Sequence, residues 1–258
     1  MPRFAANVSM LFTEVPLIER YARAAAAGFA GVEMLFPYAE DVPAIAAELR
    51  ANGLTQVLYN FPAGDFAAGE RGMANNPARR EAFREGVLRA LDVASHLQPT
   101  RMNCLVGKRL ADVPPETQWA TVEENLAWAA DQVQAAGIRL VVEPLNAWDA
   151  PGFLLSTPSA GFALVDRIGH PKLALQYDLY PAQRMEGNLV RTISERIGQI
   201  GHIQIADSPD RHQPGTGEIN YPFVFDAIDA AGYDGWVSCE YNPLGTTEQS
   251  LDWMRARA

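Results

Sequence analysis

Cysteine, histidine and positive charge are all scarce in this chain of 258 residues. Cys104 and Cys239 are the only cysteines, and each lies inside an apolar run, so we expect reduced core thiols and not a disulfide framework. Lys and Arg total 21 against 31 Asp and Glu, which gives a formal net charge of -10. Such a charge repels polyanions, so nucleic acid is not an expected partner.

Long hydrophobic runs and phosphate-binding loops are also missing. The apolar stretch at 24–36 is interrupted by Glu33 and by glycines well before the ~20 residues that crossing a bilayer requires. The first dozen residues carry one basic residue and a short apolar stretch broken by Asn7 and Ser9, which is unlike a signal peptide. Neither GxGxxG nor a P-loop occurs. We therefore expect a cytoplasmic protein with no membrane partner and no nucleotide cofactor.

What the chain does contain is a repeated alternation of β-prone and helix-prone segments. Eight strands are predicted, at 4–11, 31–36, 54–60, 101–106, 139–145, 173–179, 200–206 and 235–241. Helices are predicted near 15–27, 43–52, 79–97, 117–136, 158–168, 187–198, 221–231 and 247–257. Thr157 followed by Pro158 is a clear helix start.

Eight such units in about 250 residues predict an α/β fold, a (β/α)8 TIM barrel. No linker-like composition divides the chain, so we expect a single domain over residues 1–258. The alternative is a doubly wound open sheet, which would place a glycine-rich turn after its first strand. The segment at 12–16, Phe-Thr-Glu-Val-Pro, has none, and this favours the barrel.

Polar residues near the ends of the last four strands are the main functional signal. Glu143, Asp178, Gln204 and Glu240 each interrupt an apolar run. In a barrel of this kind the carboxyl ends of the strands face one pocket, where three carboxylates would repel each other unless a cation or shared protons neutralised them. Oxygen ligands of this type suit Mg²⁺ or Mn²⁺, so the four residues are a candidate metal site. The alternative is that some of them point outward and pair with helices.

Cations on the loops after the strands are candidates for binding an acidic substrate: Arg71, Lys108, Arg211 and His212. Each could equally be a solvated surface group. His202 precedes Gln204 by two residues and so points to the same side, one layer deeper. We expect a hydrogen-bonded histidine behind the site; a plain core histidine and a metal ligand are the alternatives. The loop at 59–77 is long enough to close over the pocket, or it is an ordered surface loop.

The chain resembles the hydroxypyruvate isomerase family, within the xylose isomerase-like TIM barrel superfamily, along its whole length. The resemblance lies in RFAANVSMLF at 3–12, GVEMLFPY at 31–38, PAGDFAAGERG at 62–72, MNCLVGK at 102–108, EPLN at 143–146, QYDLYPAQRMEG at 176–187, GHIQIADSPDRHQPGTGEINY at 201–221 and GWVSCEY at 235–241. It implies interconversion of hydroxypyruvate and tartronate semialdehyde, in glyoxylate metabolism, with Glu143 and Glu240 as the proton donor and acceptor. It also implies a divalent metal on Glu143, Asp178, Gln204 and Glu240.

Other interpretations stay open. The 2-oxo-tetronate isomerases are similar in RFAAN, PDRH and both glutamates, although MNCLVGK and EPLN favour hydroxypyruvate isomerase. Related sugar epimerases carry His where this chain has Pro181, which puts the substrate in doubt. A metal-dependent nuclease-type hydrolase would need more than the four histidines present and a basic face. A non-catalytic sugar-acid binder is the remaining alternative, and a homo-oligomer is possible for any of these.

Overall fold

A closed barrel of parallel strands forms the centre of the protein. The computed structural model describes residues 2–255. The strands are β1 (Arg3–Asn7), β2 (Gly31–Glu33), β3 (Thr55–Asn60), β4 (Arg101–Cys104), β5 (Arg139–Val142), β6 (Leu173–Asp178), β7 (Ile200–Ile205) and β8 (Trp236–Cys239). Each strand pairs with the next, and β8 pairs with β1 in parallel register, so the sheet has no free edge. The predicted TIM barrel is confirmed.

Helices surround this barrel. They are α1 (Leu17–Ala26), α2 (Val42–Ala51), α3 (Arg80–Leu97), α4 (Pro115–Ala135), α5 (Pro158–Ile168), α6 (Leu179–Met185), α7 (Leu189–Arg196), α8 (Tyr221–Ala230), α9 (Thr247–Ser250) and α10 (Asp252–Arg255). Short 3-10 turns at Pro77–Arg79 and Ile197–Gln199 precede α3 and β7. In the described part of the chain, no helix combines the length and apolar character needed to cross a membrane.

Most strand residues are buried and apolar, because helices or other strands cover both faces of each strand. A small cluster fills the barrel below the site: Ala5, Val57, Leu58, Val141, Ala174 and Trp236. Glycine makes room for it, because a Cβ at Gly31 would lie 2.8 Å from Trp236 and one at Gly201 would lie 2.7 Å from Val141. The carboxyl ends of the strands are left free to carry polar groups above this apolar floor.

The helix predictions hold with small shifts, and the structure adds one helix. The Thr157 side chain accepts a hydrogen bond from the Ala160 N–H at the start of α5, as predicted. The predicted helix at 247–257 is instead two short helices, α9 and α10, and its last two residues lie outside the described range. Helix α6 was not predicted, because Pro181 looks like a break. Proline is compatible with a first helical turn, and Asp178 caps the helix by accepting from the Tyr180 N–H.

Both cysteines are free and fully buried, as expected of core thiols. Burial raises the pKa of the Cys104 thiol to about 12, and it raises that of Cys239 well above its usual value. Neither sulfur is therefore a nucleophile near neutral pH.

Candidate active site

Three carboxylates meet at the carboxyl end of the barrel. Asp178 is the last residue of β6, while Glu143 and Glu240 come directly after β5 and β8. One oxygen from each lies within 4.8 Å of one from each of the others, and all three residues are buried. The barrel thus brings together acids that are up to 97 positions apart in the chain, a consequence of parallel strands that all end on one side.

The carboxylates line a cavity of about 190 Å³. A cavity of this size suits a small ligand. Its polar lining includes Asn60, Asn146, Asp149, Tyr180 and Arg211, and its apolar lining includes Met10, Leu35, Phe66, Leu105 and Pro181. The site therefore combines a few charged groups with an apolar wall, as enzyme pockets for small ligands do.

Arg211 is a cation that contacts two of the three acids. Its Nη2 lies 3.0 Å from Glu240 Oε2 and 3.9 Å from Asp178 Oδ2. Burial disfavours its charge, but Glu240, Asp178 and Glu143 together raise the pKa of Arg211 well above the ordinary value. The guanidinium is therefore permanently charged in this site.

A turn that is fixed by several hydrogen bonds holds the backbone of Arg211 in place. Its φ of +60° lies in the left-handed region, which costs a non-glycine residue about 1 kcal/mol or more. Its N–H donates to the Asp207 carbonyl, and its own carbonyl accepts from the Asn242 N–H. The Asp207 carboxylate in turn accepts from the backbone N–H groups of Ser208, Gly215 and Ile219. Strain that is stabilised from several sides is typical of functional positions.

The three acids have strongly perturbed protonation. Burial, helped by Asp178, raises the pKa of Glu143 to about 8. Burial raises the pKa of Asp178 to about 6, although Arg211 opposes the shift. Burial also raises the pKa of Glu240 well above its usual value, with Arg211 opposing and the other two acids adding to it. Near neutral pH the cluster therefore retains protons, as a pair of acid and base catalysts requires.

Beneath the acids lies a buried polar network centred on Glu33, the last residue of β2. Glu33 is fully buried and accepts hydrogen bonds from His202 Nε2 at 2.7 Å, Gln204 Nε2 at 2.7 Å and Asn7 Nδ2 at 3.0 Å. Asn7 Nδ2 also reaches Glu240 Oε1 at 3.4 Å. The network thus connects the barrel interior to one of the two glutamates.

The Glu33 and His202 pair has a defined charge state. Burial would raise the pKa of Glu33, but His202 and the neighbouring donors hold it below the ordinary value. Burial lowers the pKa of His202, although Glu33 opposes the shift. The pair is therefore an ionised carboxylate and a neutral imidazole that donates through Nε2, and its Nδ1 has no partner. His202 lies one layer below the acids, outside the cavity lining.

The predicted residues do not all meet at this site. Gln204 points its amide down the barrel, where Nε2 donates to Glu33 and Oε1 accepts from Gln176 at 2.6 Å. Arg71 lines the cavity beside Phe66, with its guanidinium 3.8 Å above that ring. Lys108 lines a separate surface groove with the loop at 68–79. His212 Nδ1 contacts the Asn242 carbonyl and does not line the cavity.

The first four strands also end in polar residues, and sequence reasoning missed them. Asn7, Glu33 and Asn60 are the last residues of β1, β2 and β3, and Asn103 precedes the last residue of β4. Asn103 Nδ2 donates to Glu143 Oε2 at 2.7 Å and to Asn60 Oδ1 at 3.1 Å. The same signal that marked the last four strands would have found them, because a buried polar group at the end of an apolar strand needs a partner.

Residues 21–257 match the family model of the xylose isomerase-like TIM barrels. The chain is 48% identical over 254 residues to the hydroxypyruvate isomerase of Escherichia coli, covering 98% of both chains. This chain belongs to the hydroxypyruvate isomerase family.

Other relatives show how broad that family is. A 2-oxo-tetronate isomerase from Cupriavidus necator is 44% identical, covering 99% of this chain and 98% of its own. A crystal structure from Brucella melitensis, described as an AP endonuclease of family 2, has a TM-score of 0.96 and 46% identity over 99% of each chain. Family membership therefore leaves a choice of substrate to be argued from the site.

The donor set fits a hard divalent cation. Three carboxylates offer oxygens within 4.8 Å of one another, and oxygen donors are what Mg²⁺ and Mn²⁺ prefer. Glu143, Asp178 and Glu240 are the residues that would hold such an ion. The Gln204 oxygen accepts a hydrogen bond from Gln176, and its place as the fourth ligand stays a prediction.

Proposed function

We propose that the protein interconverts hydroxypyruvate and tartronate semialdehyde by proton transfer between adjacent carbons. The observation that carries the proposal is the convergence of Glu143 and Glu240, which are 97 positions apart in the chain, on one small cavity. The sequence identity to the Escherichia coli hydroxypyruvate isomerase supports it.

The reaction needs one group to remove a proton and one to return it. An ionised carboxylate takes the proton from the hydroxyl-bearing C3 of hydroxypyruvate, and the electrons of that C–H bond form an enediolate. A protonated carboxyl then delivers a proton to C2, while the hydroxyl proton moves from the C3 oxygen to the C2 oxygen. Glu143 and Glu240 have the raised pKa values that allow one to be protonated while the other is ionised.

Each glutamate has a neighbour that fixes its position. Asn103 donates to Glu143, while Arg211 and Asn7 contact Glu240. Arg211 also provides positive charge where the enediolate develops negative charge, and stabilisation of this kind is often a large part of catalysis. A Mg²⁺ or Mn²⁺ ion on Glu143, Asp178 and Glu240, when bound, would polarise the substrate carbonyl.

The substrate carboxylate requires a cation at the cavity. Arg211 and Arg71 are the two cationic residues in its described lining. Arg71 comes from the loop between β3 and α3, where its guanidinium is held by the carbonyls of Phe66 and Glu70. We therefore assign the carboxylate contact to these two arginines, and propose that the loop closes over bound substrate.

The same machinery could isomerise a four-carbon 2-oxo-tetronate, since the cavity of about 190 Å³ holds either acid. A nuclease is less compatible with the site, because a net charge of -10 and three buried acids repel a phosphate backbone. Retention on DNA should therefore be absent at low salt. Turnover of 2-oxo-tetronate should be measured beside that of hydroxypyruvate.

The first test is the fate of solvent hydrogen. In deuterated water, product trapped by rapid borohydride reduction should contain deuterium at C2 of glycerate, because C2 receives its hydrogen from a carboxyl group that exchanges with solvent. Product with no deuterium at C2 would indicate a hydride shift and contradict the proposal. A kcat/KM for 2-oxo-tetronate above that for hydroxypyruvate would move the assignment to the sister activity.

The second test removes each acid in turn. Glu143→Gln and Glu240→Gln should each lower kcat by about 10²–10⁴-fold, the usual contribution of a general acid or base. Unfolding by urea should show that both variants remain folded. Wild-type turnover in either variant would contradict the assigned roles.

A further inference from the structure

The guanidinium of Arg211 occupies the place of a counter-ion among the three acids. It is 3.0 Å from Glu240 and 3.9 Å from Asp178, and its side chain is 29% exposed where theirs are 6% and 2% exposed. We propose that Arg211 and a divalent cation oppose each other's binding at this carboxylate cluster, because both carry positive charge beside the same acids. In this view the arginine is a built-in cation that keeps metal affinity low.

Among the described cations near the cavity, Arg211 differs from Arg71 and Arg184 in contacting the acid cluster. Arg71, the other cation in the described cavity lining, is bound to its own loop and to Phe66. Arg184 contacts Asp149 and the Tyr180 hydroxyl, two residues of the cavity lining. Arg211 alone of these three contacts the acids, so it is the charge that an entering ion must oppose or displace.

The backbone of Arg211 is fixed, but its head group is not fully bound. The peptide groups of Arg211 are held by Asp207 and Asn242, whereas its Nε has no hydrogen-bond partner. Its guanidinium also lies 5.4 Å from the centre of the Tyr180 ring, and both residues line the cavity. The turn is thus held by backbone contacts that do not involve the guanidinium, so replacing the head group should leave the turn in place.

The position of Gln204 agrees with this inference. Its amide is turned towards Glu33 and Gln176, so in this arrangement the cluster consists of the three carboxylates. A site with few ligands and a resident positive charge should bind Mg²⁺ or Mn²⁺ weakly.

The test is a Mn²⁺ titration without substrate, followed by electron paramagnetic resonance of free Mn²⁺ and by calorimetry. Arg211→Asn is the informative variant, because asparagine tolerates the left-handed backbone at this position. We expect its Mn²⁺ affinity to rise by about tenfold or more, within the range usual for coupling between two ligands. Mn²⁺ should also raise the Tm of this variant more than that of the wild type.

Three further variants make the result specific. Arg184→Gln also removes one positive charge near the cavity but does not touch the acids, so its Mn²⁺ affinity should stay close to that of the wild type. Arg211→Lys keeps the charge and should not reproduce the gain. Adding Glu143→Gln to Arg211→Asn should reverse it, if the ion sits on the cluster.

Equal or weaker Mn²⁺ binding by Arg211→Asn would overturn the inference, as would no detectable binding by either protein. The first result would mean that the guanidinium and the ion share the acids, and the second that the cluster is not a metal site. Because no substrate is present, neither result depends on whether hydroxypyruvate is the substrate. Failure of this inference is thus separate from failure of the proposed function.

Discussion

Glu33 illustrates how one buried side chain can control a site that it does not line. It accepts from Asn7, His202 and Gln204, three donors that would otherwise lose their partners. Since Asn7 also contacts Glu240, the position of a proposed catalytic acid depends on a carboxylate in the layer below. Glu33 is therefore a positioning residue in our proposal.

Glu33→Gln should destabilise the fold and slow turnover. A glutamine amide would place an N–H₂ group against donors, and an unsatisfied buried polar group costs about 1–3 kcal/mol, more when a charge is involved. We expect lower kcat with little change in KM, because Asn7 and Glu240 move while the two arginines stay. Urea unfolding and steady-state kinetics check both parts.

Glu14→Gln is the matched control for this substitution. Glu14 accepts from the Thr247 N–H and hydroxyl, outside the cavity lining, so its loss should cost stability without lowering kcat. If Glu33→Gln also lost only stability, the positioning role would be wrong and Glu33 would be purely structural.

At the scale of elements, the segment between β7 and α8 is the most specialised connection. It carries Arg211, and the Asp207 carboxylate closes it by accepting three backbone hydrogen bonds. Gly217 is essential to that closure, because a Cβ there would overlap the Ser208 carbonyl oxygen and lie 2.7 Å from Asp207 Oδ1. The segment therefore accepts no side chain at this position.

Gly217→Ala should displace the turn and, with it, Arg211. We expect a loss of kcat of about tenfold or more, since a small misplacement of a catalytic environment is costly. Gly198→Ala is the control, because a Cβ at Gly198 would meet nothing within 4 Å. Kinetics on both variants decide the matter: equal activity would show that the turn does not need the glycine.

The limits of sequence reasoning are also clearest at the scale of elements. All eight strands and the Thr157 helix start were predictable, because hydrophobic periodicity and capping are local signals. Helix α6 was missed because Pro181 reads as a break unless its place in the first turn is known. Contacts such as Arg211 with Glu240 depend on where a loop returns in space, which spacing along the chain does not specify.

The acid cluster and Gln204 likewise separate what the sequence predicts from what it does not. Their convergence followed from the carboxyl ends of parallel strands, so Glu143, Asp178 and Glu240 could be found from sequence. The downward orientation of Gln204 could not, because it is set by Glu33 on the far side of the barrel. Strand ends predict which residues are near the site, and the cross-barrel partner decides which way each one points.

At the scale of the whole molecule, the buried acids of the proposed active site lower the free energy of unfolding by an amount that depends on pH. The pKa of Glu143 rises from an ordinary 4.5 to about 8 on burial, and that of Asp178 rises from 3.8 to about 6. Between these values the folded protein binds more protons than the unfolded chain. The free energy of unfolding contributed by these groups must therefore fall as pH rises through that window.

Glu143→Gln should flatten this dependence, because the amide does not titrate. Without metal, the unfolding free energy of the wild type should decline relative to the variant between pH 5 and pH 8, by at most about 1.4 kcal/mol per pH unit. Urea unfolding at one-unit intervals, with chelator present, measures the difference and cancels the titration of groups that do not interact with Glu143. A difference independent of pH would show that Glu143 titrates normally, and the barrel would then not be holding a proton where the proposed isomerisation needs one.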